Sequence, residues 1–227
     1  MGMRQVLRTA STVLIISGTL LIADAAATVT WQEPLSAFLG HLNQDKLSHQ
    51  LKRIEAAGLT PIERRVVKEL PDPTRRLAFL ARSLKRRTAD GAALGRIRIP
   101  KLGANWVVVK GTSTSDLRKG PGAYPQTPLP GAPGTVAIAG HRTTYGAPFR
   151  HVDALVRGDP ITMTMPYGRF TYRVERRDIV DPNAIWVIHR VAYDRLVLTA
   201  CHPLYSAAQR IVIFARLVRE QPLGPAA

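Results

Sequence analysis

Apolar and small residues fill the chain from Thr9 to Val29 almost without a break, with Asp24 the one charge among them and Arg4 and Arg8 in front. A run of about 20 such residues is long enough to cross the roughly 30 Å hydrocarbon layer of a bilayer as a helix. Positive charge on its leading side predicts that residues 1–30 form a cytoplasmic tip and a transmembrane anchor, with everything downstream outside the cell. Trp31 then falls at the outer membrane–water boundary. Ala25-Ala26-Ala27 also offers the small residues at which a cleavable leader is cut; the length of the run favours the uncut anchor.

Over residues 31–91 the apolar positions take up the helical period. Leu35, Phe38, Leu39 and Leu42 recur at i, i+3, i+4 and i+7, and Leu47, Leu51 and Ile54 continue the stripe. Gly58 interrupts it. Thr60 is placed to cap a second helix with Pro61 at its first position, and Ile62, Val66, Val67 and Leu70 form its apolar side. Beyond Pro71-Asp72-Pro73, a third helix carries Leu77, Leu80 and Leu84 under a face of Arg75, Arg76, Arg82, Lys85, Arg86 and Arg87. The expectation is a basic helical spacer whose apolar stripes pack on the neighbouring domain.

From residue 92 to 220 the period becomes two. Gly95 to Pro100 alternates apolar and basic residues, and Trp106 to Val109 is a short β-branched run. Thr135–Ala139, Ile161–Met165, Phe170–Val174, Arg195–Thr199 and Arg210–Ala215 complete the set. Short strands at close spacing predict an all-β barrel or sandwich. The Pro/Gly-rich stretch from Gly120 to Gly134 reads as a long ordered loop, Ser113–Lys119 and Pro148–Val156 as short helices, and residues 221–227 as a disordered tail.

The net charge of +16 enlarges this picture. Basic side chains outnumber acidic ones 14 to 8 up to Gly91 and 18 to 8 after it, so the excess is spread along the chain. Such a field suits anionic surroundings without choosing among them. The six histidines, at 41, 49, 141, 151, 189 and 202, have none of the spacings that build a zinc site, so neither a metal nor another cofactor is expected. Nucleic-acid motifs are lacking too, and an external location argues against that partner.

One cysteine, Cys201, excludes a disulfide within the chain. A lone thiol in an exported protein is either an intermolecular bridge or a reactive group. Cys201 follows an apolar strand and precedes His202-Pro203, which places it at a rim. His141 lies in Ala139-Gly140-His141 after another strand, and Arg210 opens the last one. A thiol becomes a nucleophile as its thiolate, a histidine within reach moves protons, and an arginine stabilises an oxyanion. Each residue alone also has a structural reading: a buried inert thiol, a structural histidine, a surface ion pair.

Together, Gly140-His141, Leu198-Thr199-Ala200-Cys201 and Arg210, nine residues beyond the cysteine, resemble the catalytic segments of the sortases, most closely the actinobacterial class E branch. The likeness runs from about Gly95 to Leu217 and includes the anchor. It implies a closed eight-stranded β-barrel with short helices and a cysteine transpeptidase, a thiol peptidase that transfers rather than only hydrolyses. Cys201 is then the nucleophile, His141 the acid/base and Arg210 the oxyanion partner. Many sortases carry Thr where this chain has Ala200, which removes a hydroxyl next to the nucleophile. Gly122-Ala123-Tyr124-Pro125 resembles the class E segment associated with a preference for Leu-Ala-x-Thr-Gly over Leu-Pro-x-Thr-Gly. Tyr124, Thr143, Tyr145, Thr199 and Ala200 are accordingly the candidate substrate contacts. Implied partners are secreted proteins with a C-terminal sorting motif, and a peptidoglycan or lipid-linked amine as acceptor. Pro71-Asp72-Pro73-Thr74 lacks the aromatic of the lid found in pilus-assembling members. The competing readings are a catalytically silent, basic wall-binding β domain and a nucleic-acid-binding one.

Overall fold

The computed structural model describes residues 2–30 and 34–227. Trp31 lies outside them, as does the side chain of Leu35. Helix α1 (Met3–Thr30) is unbroken, and its stretch Met3–Ala27 is long and apolar enough to cross a membrane, with none of it buried against the rest of the chain. Three more helices follow: α2 (Pro34–Ala57), α3 (Pro61–Glu69) and α4 (Pro73–Arg87). Thr60 caps α3 as its position predicts. Its hydroxyl accepts from the Glu63 amide while the Glu63 carboxylate accepts from the Thr60 amide. Leu77, Leu80 and Leu84 of α4 are buried, as expected of its apolar side.

Helix α2 buries the later part of its predicted apolar stripe, Leu47 and Leu51, but not the first part. Phe38, Leu39 and Leu42 are 62%, 51% and 41% exposed, whereas Ala37, Gln44, Leu47 and Leu51 are buried. Gln44 sets this orientation. Its amide accepts from the Val107 N–H and donates to the carbonyls of Val107 and Lys119, closing a backbone gap that no leucine could close. In α3, Ile62 is likewise exposed and Glu63 buried, held by the capping box and by Arg87 at 3.4 Å.

The rest of the chain is the expected closed barrel of eight strands: β1 (Ala93–Ile99), β2 (Ala104–Lys110), β3 (Gly122–Ala123), β4 (Thr135–Ala139), β5 (Pro160–Met165), β6 (Gly168–Val180), β7 (Arg195–His202) and β8 (Gln209–Pro222). Around the circumference they run β1-β2-β3-β4-β7-β8-β6-β5, and β1 pairs with β5 to close the ring. Inward positions are apolar, with Ile97, Ile99, Ile138, Phe149, Ile161, Phe170, Tyr172, Leu198 and Ile213 essentially inaccessible.

Three expectations change. The Pro/Gly loop contains β3, whose two residues bridge Val109–Lys110 on one side and Ile138–Ala139 on the other; Gly-Ala carries no strand propensity, and only its neighbours make it one. Pro148–Val156 yields a single 3-10 turn, Val152–Ala154, beside the short helix α5 (Thr114–Leu117). Residues 221–227, read as a disordered tail, are ordered. Strand β8 runs on to Pro222 because β6 offers a partner as far as Gly168, and Ala226 is fully buried.

Candidate active site

Strand register brings the three candidate catalytic residues together. Strands β4 and β7 are parallel, with Ala139 beside Thr199, and the Gly140 amide extends the ladder by donating to the Thr199 carbonyl at 3.0 Å. His141 is the next residue. Strands β7 and β8 are antiparallel, and Cys201 stands directly opposite Arg210. Opposed residues project to the same face of a sheet. His141, Cys201 and Arg210 therefore occupy one end of three adjacent strands, each partly exposed. Gly140 is required for the turn into His141: a methyl group there would lie 2.5 Å from the ring of Phe149, which is fully buried.

Burial holds the His141 imidazole below its ordinary pKa of 6.5, and the nearby charge of Arg118 lowers it further. Its Nε2 is buried and has no hydrogen-bond partner among the described residues. The ring lies 5.5 Å from that of Tyr145, and the Arg118 guanidinium sits 5.7 Å over the same tyrosine. Arg210 commits Nη1 to the carbonyls of Ala207 and Gln209, which fixes its head at the mouth of the turn joining β7 to β8.

Beside these groups, a groove of about 160 Å³ runs over the outer face of β7 and β8, lined by Tyr124, Thr199, Arg210, Val212, Ile185 and Ile188 among others. Its far wall is the 3-10 turn Ile185–Ile188, packed on Ala137, Val197, Val212 and Phe214. Arg195, 5% exposed, pins that turn to the barrel by donating to the carbonyls of Val187 and His189 and to the Thr135 hydroxyl.

The candidate substrate contacts divide. Tyr124 and Thr199 line the groove and share a hydrogen bond of 2.9 Å between their hydroxyls. Thr143 and Tyr145 lie outside the lining of the groove, on the loop after His141, and Tyr145 flanks the imidazole. Ala200 does not face the groove: alternation along β7 turns its side chain into the barrel core, where it is 5% exposed. Its difference from the usual Thr thus falls inside the barrel and leaves the site's surface unchanged.

Arg142 is the functional neighbour that the sequence reading missed. Its side chain is almost wholly buried and pairs with Asp153 at 3.0 Å. It donates to the Arg150 carbonyl, to the carbonyl of Cys201 at 3.4 Å and to Nδ1 of His202 at 3.3 Å. One guanidinium thus ties the strand end that carries His141 to the one that carries Cys201. Its partners are 8 to 60 residues away, so no local pattern announces it. Helix α2 supports the same loop. Ser36 accepts from the Tyr145 amide, and Gly40 lies so close that a methyl group would sit 2.6 Å from the Tyr145 carbonyl carbon.

Comparison with known proteins agrees with this geometry. Sortase D of Bacillus subtilis (strain 168) is 32% identical over 177 residues, covering 76% of this chain and 85% of that protein. Sortase SrtE1 of Streptomyces coelicolor is 28% identical over 148 residues, 58% of this chain and 42% of that protein. The crystal structure of Sortase E1 from S. coelicolor with a tripeptide in its active site superposes with a TM-score of 0.56 at 27% identity, covering 60% of this chain and 93% of that one. The class E likeness is thus present beside a Sortase D relative of higher identity and longer coverage. Residues 97–218 match the sortase domain family, and the chain belongs to it.

Proposed function

We infer that the chain is a membrane-anchored transpeptidase that cleaves a C-terminal sorting motif, Leu-Ala-x-Thr-Gly or Leu-Pro-x-Thr-Gly, between Thr and Gly. It then joins the new carboxyl end to an amine of the cell wall or of another protein. The observation that carries this reading is the convergence of His141, Cys201 and Arg210 on adjacent strand ends beside a groove. The tripeptide held in the active site of the Sortase E1 relative supports a peptide as the groove's occupant. Helix α1 supports a single-pass anchor, with Arg4 and Arg8 inside and the barrel on the extracellular side.

In this mechanism the Cys201 thiol gives its proton to the His141 imidazole, and the thiolate attacks the carbonyl carbon of the motif's Thr. The oxyanion that forms lies against the Arg210 guanidinium, whose Nε and Nη2 are not engaged by its contacts with Ala207 and Gln209. His141 then protonates the departing glycine amine as the C–N bond breaks, leaving a thioester on Cys201. An incoming amine attacks the thioester, His141 takes its proton, and that proton returns to the sulfur as the thiolate leaves. Tyr124 supports recognition of the Ala-containing motif: its phenol keeps bonding capacity beyond Thr199, and an Ala residue offers a backbone N–H that Pro lacks.

The function is tested by incubating the protein with paired Leu-Ala-x-Thr-Gly and Leu-Pro-x-Thr-Gly peptides plus an amine, and reading products by mass. Threonyl–amine conjugates are expected, with the Ala peptide consumed faster. Products cut elsewhere, or none from either peptide, would remove the reading.

A pH profile follows from the lowered His141 pKa. The neutral ring is the form that accepts the thiol proton, so kcat/KM is expected to hold as pH falls to 6.5 and to decline only below it. Replacing Arg118 by Gln removes a repelling charge and raises the His141 pKa, so the acidic limb moves to higher pH. A limb that stays put or moves down contradicts this assignment. Stability runs in the same direction. The unfolded chain binds the His141 proton before the native one does, so stability is lost as pH falls through 6.5.

A further inference from the structure

A second wall of the barrel, sharing no lining residue with the groove, is built from β1, β5 and the first residues of β6. Over Arg96–Arg98, Thr162–Thr164 and Arg169–Thr171, inward positions are apolar and outward ones are arginine or threonine. Register aligns the outward side chains in two rows across the three strands, Arg98–Thr162–Thr171 and Arg96–Thr164–Arg169. Rows two residues apart lie about 7 Å from each other, and strands two places apart lie about 10 Å from each other. All of these side chains but Thr171 line a depression of about 650 Å³ that also takes in Asn105, and no carboxylate is among its lining residues.

Two of its guanidiniums are uncommitted. Arg96 is steadied by the Ser48 hydroxyl of α2 at 3.1 Å, but among the described residues no hydrogen bond or ion pair engages Arg98 or Arg169, and both are exposed. Repulsion among three cations with no acid between them is tolerated where a ligand supplies the counter-charge. Nothing in the transpeptidation chemistry uses this wall.

We propose that the β1–β5–β6 wall is a docking site for a soluble, phosphate-bearing polyanion. Guanidinium forks match phosphate oxygens bidentately, and the threonine hydroxyls and the Asn105 amide add uncharged donors between them. Spaced rows suit a ligand whose phosphates repeat along a chain. A bilayer surface fits less well, because none of the large exposed apolar side chains that would insert into it lines the depression. A nucleic-acid strand fits less well too, since no aromatic side chain is there to stack on its bases. Bound in this way, the enzyme would hold an anionic polymer on a wall whose lining leaves the groove open.

The test uses the full chain in nanodiscs of zwitterionic lipid, with long-chain inorganic polyphosphate as probe and affinity measured across a salt series. Three proteins are compared: the parent, R98S/R169S, and R82S/R86S as a control that removes the same charge from α4. Both variants are expected to cleave a short sorting peptide at the parent rate, which shows that they are folded. R98S/R169S should bind polyphosphate about tenfold more weakly or worse, with a log–log salt slope shallower by about 1 to 2. R82S/R86S should bind like the parent. Equal weakening in both variants would reduce the effect to net charge, and an unchanged R98S/R169S would place binding elsewhere; either overturns the proposal. So would competition by anionic-lipid nanodiscs that displaces the probe through Arg98 and Arg169, which would assign the wall to the bilayer.

Discussion

Cys201→Ala is expected to abolish transpeptidation while leaving peptide binding intact. Cys201 is the only thiol in the chain, so any thioester must form there. With a sorting peptide and no acceptor amine, the parent protein should accumulate an adduct whose mass is that of the acyl fragment, and hydroxylamine should release it. The variant should show neither adduct nor product. In another nucleophilic enzyme, loss of the nucleophile alone costs about 10⁶ in kcat, so the residual rate should be indistinguishable from background. The barrel should be unaffected, because the thiol sits partly exposed at a strand end rather than in the core. An adduct that persists without Cys201 would sink the covalent mechanism.

Arg210→Lys has the second largest expected effect. Two carbonyls hold one nitrogen of the guanidinium, and the planar fork keeps its other donors aimed in a fixed direction. A lysine ammonium cannot make both contacts and still face the oxyanion. Loss of a single oxyanion donor costs about 10²- to 10³-fold in kcat. KM and the melting temperature should hardly move, because the charge is kept and the side chain is not buried in the core. A rate within about threefold of the parent would take Arg210 out of the oxyanion site.

The barrel was legible in the sequence wherever a strand is half-buried, since alternation is then written residue by residue, as in Ile161–Met165 and Phe170–Val174. It was illegible where hydrogen bonding rather than side-chain character makes the strand, as at Gly122–Ala123. Helix α2 misled for a related reason. Its apolar period named Phe38, Leu39 and Leu42 along with Leu47 and Leu51, and only the last two are buried; a glutamine that completes backbone bonds and a glycine that permits close approach decide which side of its first half meets the barrel. The members of the candidate triad stood out because each ends or begins a strand next to a sharp local signal: Gly140 before His141, Pro203 after Cys201, a charged residue opening β8. Arg142 had no such signal. A buried arginine is intelligible only through its acceptors, and those come from the Arg150 and Cys201 carbonyls and from Asp153.

Strand β8 is the last of the eight to be synthesised, yet it lies between β7 and β6 rather than at an edge. Until β8 is made, the chain therefore has seven strands and an open seam. During that interval Cys201 has no Arg210 opposite it, and the ring that orders the groove is not closed. Closing the ring requires β8 to pair with two partners, β6 as far as Gly168↔Pro222 and β7 through Cys201↔Arg210. Closure of the ring and the placing of Arg210 opposite Cys201 thus both wait on the last strand made.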